Sequence, residues 1–165
     1  MNWILLFAVA GSVGCRAASA RVALHAGDAA PRELGASDST DLLFVTTAAE
    51  CFGCRIQGGF VALRAAQRTA GDIWAPRLTA LLVARGSDDS LAFSRTLEYE
   101  RIVAQIKVMT REQASRIFDL DRIPAIFLIE KGRVVREWES VGRRALGRDD
   151  ITDALAEVRN GAKGQ

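Results

Sequence analysis

Short apolar runs alternate with stretches of helical periodicity in the middle of the chain. Residues 42–46 are too few for a helix of ordinary length and end in β-branched side chains, which predicts a buried strand. Ile56, Phe60 and Leu63 then recur at i, i+4 and i+7, the spacing of one helix face. Residues 78–83 predict a second strand about 35 positions further on, an interval typical of a strand-helix-strand crossover and therefore of a parallel pair.

Two adjacent glycines, Gly58 and Gly59, interrupt the pattern of this first helix. Each glycine costs roughly 1 kcal/mol relative to alanine inside a helix, because it loses more backbone freedom on folding. We therefore expect the helix to bend at this point.

Weaker patterns follow the second strand. Residues 87–94 predict a short helix with two aspartates in its first turn, and residues 102–109 alternate only slightly, as in a strand. Residues 111–118 predict a helix for which Thr110 is the candidate N-cap.

The last part of the chain predicts an antiparallel hairpin and a closing helix. Pro124 heads the apolar run 125–129, a position that a strand tolerates because its first residue need not donate to the ladder. A Lys-Gly turn at residues 131–132 leads into the charged run 133–138, which is typical of a strand at a sheet edge. Residues 149–160 carry the apolar stripe of a helix.

The first 40 residues have a different character. Residues 3–13 are uncharged and apolar, with the length of a signal-peptide core, and fall short of the ~20 residues that cross a bilayer as a helix. Two processing sites compete. Ala18-Ser19-Ala20 has the small-x-small form of a signal-peptidase site, which predicts cleavage after Ala20. Residues 13–15 resemble a bacterial lipoprotein box, which would make Cys15 a lipidated N-terminus. A short uncleaved anchor is the third possibility.

These observations divide the chain into residues 1–20 as a signal, 21–40 as a short strand and linker, 41–160 as one domain, and 161–165 as a tail. A length of 165 residues with 49% hydrophobic and 25% charged residues suits one compact core. The formal charge is only +2, and basic and acidic residues interleave near the C-terminus. This pattern indicates a solvated surface and no nucleic-acid partner. His25, the single histidine, is expected to be a surface or strand residue without a chemical role.

Candidate chemistry lies between the first strand and the first helix, in Cys51-Phe52-Gly53-Cys54. A cysteine at a helix N-terminus meets unpaired N–H groups and the positive end of the helix dipole, and both favour its thiolate. Cys54, nearly one turn on, can close a disulfide with Cys51. Glu50 opposes the helix terminus, because a carboxylate beside a forming thiolate raises the pKa of Cys51.

Other interpretations of the cysteine pair remain open. Cys51 and Cys54 could be half of a zinc site, but such sites need four ligands and the rest of the mature chain offers only His25 and carboxylates, so we expect no metal and no other cofactor. A purely structural disulfide is common in exported domains, although a loop this short gains little from closure. A redox-inactive binding protein with such a disulfide is therefore the alternative function.

Residues 41–160 resemble the thioredoxin-like superfamily. The resemblance rests on the CxxC between strand and helix, on Ile123-Pro124 some seventy residues later, and on the hairpin of residues 127–132. It implies a three-layer α/β fold, with a central mixed sheet whose first half is a parallel strand-helix-strand unit and whose second half is an antiparallel hairpin followed by a helix.

The resemblance also implies roles for the site residues. Cys51 would be the attacking thiol and Cys54 the resolving thiol, Pro124 would be cis and packed against them, and Ile123 with Phe52 and Gly53 would contact the substrate chain. The implied activity is thiol-disulfide exchange with protein substrates and an upstream redox partner.

The sequence also departs from thioredoxin itself. Thioredoxin has tryptophan before the first cysteine, Gly-Pro between the two and a buried acid on the preceding strand, whereas this chain has Glu50, Phe52-Gly53 and, at the acid's place, Val45. The exported context and the longer insert near residues 87–109 are more similar to extracytoplasmic thiol-disulfide reductases, such as those that serve cytochrome c maturation.

Overall fold

A five-stranded sheet organises the chain. The computed structural model describes residues 23–34, 39–48, 54–68, 76–139 and 148–163. Its strands and helices are, in chain order, β1 (Thr40–Thr47), α1 (Cys54–Gln67), β2 (Arg77–Ala84), α2 (Ser87–Tyr99), β3 (Gln105–Thr110), α3 (Arg111–Ser115), β4 (Ala125–Glu130), β5 (Arg133–Trp138) and α4 (Arg148–Lys163), with short 3-10 turns at Arg32–Leu34 and Leu120–Arg122.

The order of strands across the sheet is β3-β2-β1-β4-β5. The first three strands are parallel to one another, β4 runs antiparallel to β1, and β5 runs antiparallel to β4. The predicted parallel half and antiparallel hairpin are therefore both confirmed.

Helices cover both faces of the sheet, and β1 shows why. Its six inner residues are all buried, as expected of a strand with a layer on each side. Leu42 and Phe44 point into a core shared with α1, α2 and α4. Leu43 and Val45 point into a second core, shared with α3 and the N-terminal segment. The predicted three-layer arrangement is confirmed.

Gly58 and Gly59 do not end the helix, because α1 is helical through both residues. Gly59 instead allows α1 to lie close against the sheet. A Cβ atom placed on Gly59 would come within 2.2 Å of the Phe44 ring, far inside any real contact. Phe60 then packs edge-on against Phe44, with 6.2 Å between ring centroids.

The elements between β2 and β4 form as predicted but with different bounds, and the helix expected over residues 111–118 ends at Ser115 as α3. The helix expected over residues 87–94 extends to Tyr99 as α2, and the weakly alternating run after it forms β3, an edge strand. The cap at Thr110 is confirmed. Its hydroxyl accepts a hydrogen bond from the Gln113 N–H at 3.2 Å, while the Gln113 side chain accepts one from the Thr110 N–H at 2.9 Å.

The strand expected over residues 21–25 does not form in its described part, residues 23–25. Farther on, the same segment runs beside β5. The Gly27 N–H donates to the Val134 carbonyl at 2.7 Å, the Val134 N–H donates to the Asp28 carbonyl at 3.0 Å, and Ala29 forms an isolated bridge with Arg133. Gly27 has a φ of +97°, a turn conformation that an alternating pattern does not reveal.

Leu24 and Leu34 anchor this segment, because both are buried in the core beneath α3.

None of the helices in the described ranges is both long and apolar enough to cross a membrane.

Candidate functional site at the end of the central strand

The end of β1 and the start of β4 lie side by side. Val45 pairs with Ala125 in the antiparallel register. Ala125 directly follows Pro124, and the Ile123–Pro124 peptide bond is cis, as predicted. Ile123 and Pro124 are both buried, Ile123 within the core beneath α3. The cis proline therefore lies directly before β4, next to the end of β1.

From this end of β1 the chain continues toward the cysteine pair. The next described helix, α1, begins at Cys54, so the second cysteine lies at a helix N-terminus. Glu50, Cys51, Phe52 and Gly53 lie outside the described residues, and so does the side chain of Cys54. Cys15 also lies outside them.

The main chain next to the cis proline has hydrogen-bonding groups without a partner in the described part of the chain. No hydrogen bond joins the backbone N–H or C=O of Ile123 to another residue in the described ranges. Backbone groups without such a partner can pair with an added peptide, as in recognition by strand addition. Within the described ranges, the backbone groups of Ile123 therefore lie unpaired beside the cis proline.

A buried acid is found at the other end of β1. Val45, which stands at the acid's place in the resemblance, is fully buried among apolar side chains. Asp41 is the buried carboxylate of the described chain, and Arg77 donates to both of its oxygens, at 2.5 and 2.9 Å. Asp41 lies four positions before Val45 along the strand, which corresponds to about 13 Å. Asp41 is therefore a structural ion pair.

An ion pair flanks the cis proline on the side of β5. Arg122 donates to both oxygens of Glu139, at 2.6 and 2.8 Å, and its Nε lies 3.5 Å from Asp119. The hydrogen bond to Glu139 and the charge of that carboxylate raise the pKa of Arg122 above its ordinary value. This pair joins the turn before Ile123 to the end of β5.

Sequence reasoning missed a cluster beside this ion pair. His25, expected to have no role, lies with Nδ1 3.3 Å from both carboxylate oxygens of Glu137. The alternation of residues along β5 does not reveal this contact, because the strand contains a β-bulge. Leu128 pairs with Arg136 but Ile129 pairs with Val134, so β5 carries one extra residue at this point.

Because of the bulge, Val134 and Glu137 face the same side of the sheet although they are three residues apart. A regular period of two would have put them on opposite sides.

Comparisons with known proteins agree with this architecture. No protein-family model matches the sequence, and no curated protein matches it. Solved structures do match. A thioredoxin-like protein from Parabacteroides distasonis aligns with a TM-score of 0.60 and 15% identity, over 81% of this chain and 96% of that one.

Two further structures are described by activity. A secreted disulfide oxidoreductase of Mycobacterium tuberculosis aligns with a TM-score of 0.56 and 12% identity, over 75% of this chain and 85% of its own. A thiol:disulfide interchange protein from a Bacteroides species aligns with a TM-score of 0.57 and 16% identity, over 85% and 93%. Together with the sheet order and the cis proline, these similarities establish that the chain has the thioredoxin-like fold.

Proposed function

We propose that this protein is a thiol-disulfide oxidoreductase whose reactive groups are Cys51 and Cys54. The observation that carries the proposal is the register of β1 and β4. It sets the cis Ile123–Pro124 bond beside the end of β1, from which the chain leads to the cysteine pair. Solved structures with the same fold include proteins described as thiol-disulfide oxidoreductases, and these support the redox interpretation.

The proposed reaction is two successive exchanges. The Cys51 thiolate attacks one sulfur of a substrate disulfide, which forms a mixed disulfide and releases the other substrate sulfur as a thiolate. Cys54 then loses its proton and attacks the Cys51 sulfur, so that the second substrate thiolate leaves. Two electrons pass from the dithiol to the substrate, and the protein retains a Cys51–Cys54 disulfide. An upstream protein dithiol then reduces the Cys51–Cys54 disulfide by two further exchanges and is itself oxidised to a disulfide.

Substrate contact is assigned to Ile123, Pro124, Phe52 and Gly53. The backbone groups of Ile123, which have no partner in the described part of the chain, suit an extended substrate segment that would add main-chain hydrogen bonds beside the reacting sulfur. Recognition through main-chain hydrogen bonds reads the substrate backbone and depends little on the substrate's side chains. It therefore fits a protein substrate and leaves specificity to contacts farther out.

We place the protein outside the cytoplasm. The apolar run of residues 3–13 suits an export signal, and Cys15 is the candidate site of a lipid tether. Disulfide substrates persist in such oxidising compartments. The secreted M. tuberculosis oxidoreductase with the same fold is consistent with this location.

The alternative is a redox-inactive binding protein with a structural disulfide. Apolar burial of Val45 favours it, since no described acidic side chain is buried next to the site to take the proton of Cys54. Glu50 and water are the remaining proton acceptors in the redox proposal.

Reduction of insulin by dithiothreitol, followed as turbidity, separates the two functions. Wild-type protein should accelerate the reaction, and Cys51→Ser should abolish the acceleration. Thr110→Ser, which keeps the cap hydroxyl on α3, is the matched control and should behave as wild type. Equal rates with and without wild-type protein would favour the binding protein.

A further inference from the structure

A histidine and two glutamates meet beside the end of β5. His25, Glu137 and Glu139 each present a ligand atom, and these three atoms lie within 4.8 Å of one another. The side chains are partly buried, with exposures of 46% for His25 and 25% for each glutamate. More than a hundred positions separate His25 from both glutamates, so the fold alone brings them together.

The spacing is close to that of a metal site. Ligand atoms at about 2.1 Å from a tetrahedral metal ion lie roughly 3.4 Å apart. His25 Nδ1 already lies 3.3 Å from Glu137. The ligand atom of Glu139 lies within 4.8 Å of the other two, and a change of its side-chain torsions can bring it to that spacing.

The charge of the cluster also favours a cation. Asp119, Glu137 and Glu139 surround Arg122, which leaves a net charge of −2 while the histidine is neutral. A divalent ion would neutralise it. Arg122 can stay on one oxygen of Glu139 while the other oxygen binds the ion, because its Nη1 contacts both oxygens.

Both carboxylates are already oriented by hydrogen-bond donors that are not themselves candidate metal ligands. The Ala26 N–H donates to Glu137 at 2.9 Å, and Arg122 holds Glu139. Such outer hydrogen bonds are a regular feature of metal sites, where they fix the direction of each ligand. The bulge in β5 is what aims Glu137 toward His25.

We propose that His25, Glu137 and Glu139 form a binding site for a divalent first-row metal ion such as Zn²⁺, which joins the segment of residues 23–34 to the end of β5. One imidazole and two carboxylates suit zinc, and a fourth position is left for water. The site is separate from the cysteine pair, so the proposal does not depend on the redox function.

The experiment titrates Zn²⁺ into the full chain after its thiols have been blocked with N-ethylmaleimide, which removes cysteine binding. His25 is the single histidine, so its ring gives one unambiguous set of NMR signals. One equivalent of Zn²⁺ should shift these signals, and calorimetry should give one site. Ca²⁺ should leave the ring signals in place, because it prefers oxygen ligands.

Variants identify the ligands. His25→Ala, Glu137→Gln and Glu139→Gln should each weaken Zn²⁺ binding at least about tenfold. Glu157→Gln removes one exposed carboxylate that pairs with Arg136 on the opposite face and should bind as wild type. Zn²⁺ should also raise the melting temperature of the wild type but not of His25→Ala.

Wild-type ring signals that do not respond to Zn²⁺ would overturn the proposal. Equal affinities in Glu137→Gln, Glu139→Gln and Glu157→Gln would overturn it as well. If a variant fails to fold by circular dichroism, the response of the wild-type ring decides alone.

Discussion

Val45 on β1 lies opposite Ala125 on β4, and Ala125 directly follows the cis bond between Ile123 and Pro124. This pairing fixes where the cis proline stands relative to the strand that leads to the cysteines. It also places the cis proline beside the carboxyl end of β1, at the edge of the parallel strands where ligands of open α/β sheets generally bind. The redox proposal rests on this relationship.

Replacement of Gly59 should destabilise the protein. A Cβ on Gly59 would overlap the Phe44 ring, which is fully buried, so the ring or the helix would have to shift within a packed core. We expect Gly59→Ala to lower the free energy of unfolding by about 1–3 kcal/mol, as overpacked cores do, against the usual gain from alanine in a helix. Urea denaturation followed by circular dichroism measures it.

Gly86→Ala is the matched control, because nothing lies within 4 Å of a Cβ at Gly86. Because Gly86 is the N-cap of α2, where glycine is favoured over alanine, Gly86→Ala should cost no more than about 1 kcal/mol, and that cost contains no steric overlap. Phe44→Leu should recover part of the loss when combined with Gly59→Ala, since the two sites share one contact. An unchanged stability of Gly59→Ala would contradict the close approach of α1 to the sheet.

Asp41 should matter for stability and not for catalysis. Asp41→Asn removes the charge that Arg77 contacts with two hydrogen bonds, which should cost about 1–3 kcal/mol. Asp41 lies at the end of β1 away from the cis proline, so insulin reduction at a temperature where the variant is folded should match wild type. A strong loss of activity in the folded variant would make Asp41 part of the reaction.

Glu50 should restrain the reactivity of Cys51. Its carboxylate disfavours the neighbouring thiolate, so Glu50→Gln is expected to lower the pKa of Cys51, on the order of 1 unit or less, and to make the couple more oxidising. The rate of iodoacetamide alkylation as a function of pH measures the change. Glu157→Gln, an exposed charge on α4, should leave the profile in place. A higher pKa in Glu50→Gln would reverse the assigned role.

The N-terminus of the mature protein tests the location. If Cys15 is the lipid-modified residue, mass spectrometry of protein from a bacterial membrane fraction should show a chain that begins at Cys15 with added acyl mass. Cys15→Ser should then release the protein into the soluble extracytoplasmic fraction. A chain that begins at Arg21 would rule out the tether and leave a soluble exported protein.

The sheet could be predicted from sequence because its strands are apolar and flanked by clear turns. Residues 42–46 and 78–83 read as buried strands since both faces are covered, and Pro124 marked the start of β4. The role of Gly59 was not visible, because its reason is the Phe44 ring, fifteen positions earlier and on another element. A propensity scale assigns a glycine only its backbone cost.

The cluster at His25 was hidden for a similar reason. His25 comes to β5 through a turn at Gly27 and through bonds to Val134, neither of which has a periodic signature. Glu137 faces His25 only because of the bulge at Val135. Both features depend on contacts between segments about 110 positions apart, which local patterns do not encode.

The reduction potential of the Cys51–Cys54 couple tests the central claim most directly. The protein should be equilibrated with glutathione or dithiothreitol buffers of known potential, and the reduced fraction counted by alkylation and mass spectrometry. We predict one two-electron transition between about −120 and −270 mV, the range of exchange catalysts, with Cys51 alkylated before Cys54. A pair that stays oxidised below about −300 mV, or whose thiols do not react after reduction, would be a structural disulfide and would contradict the account.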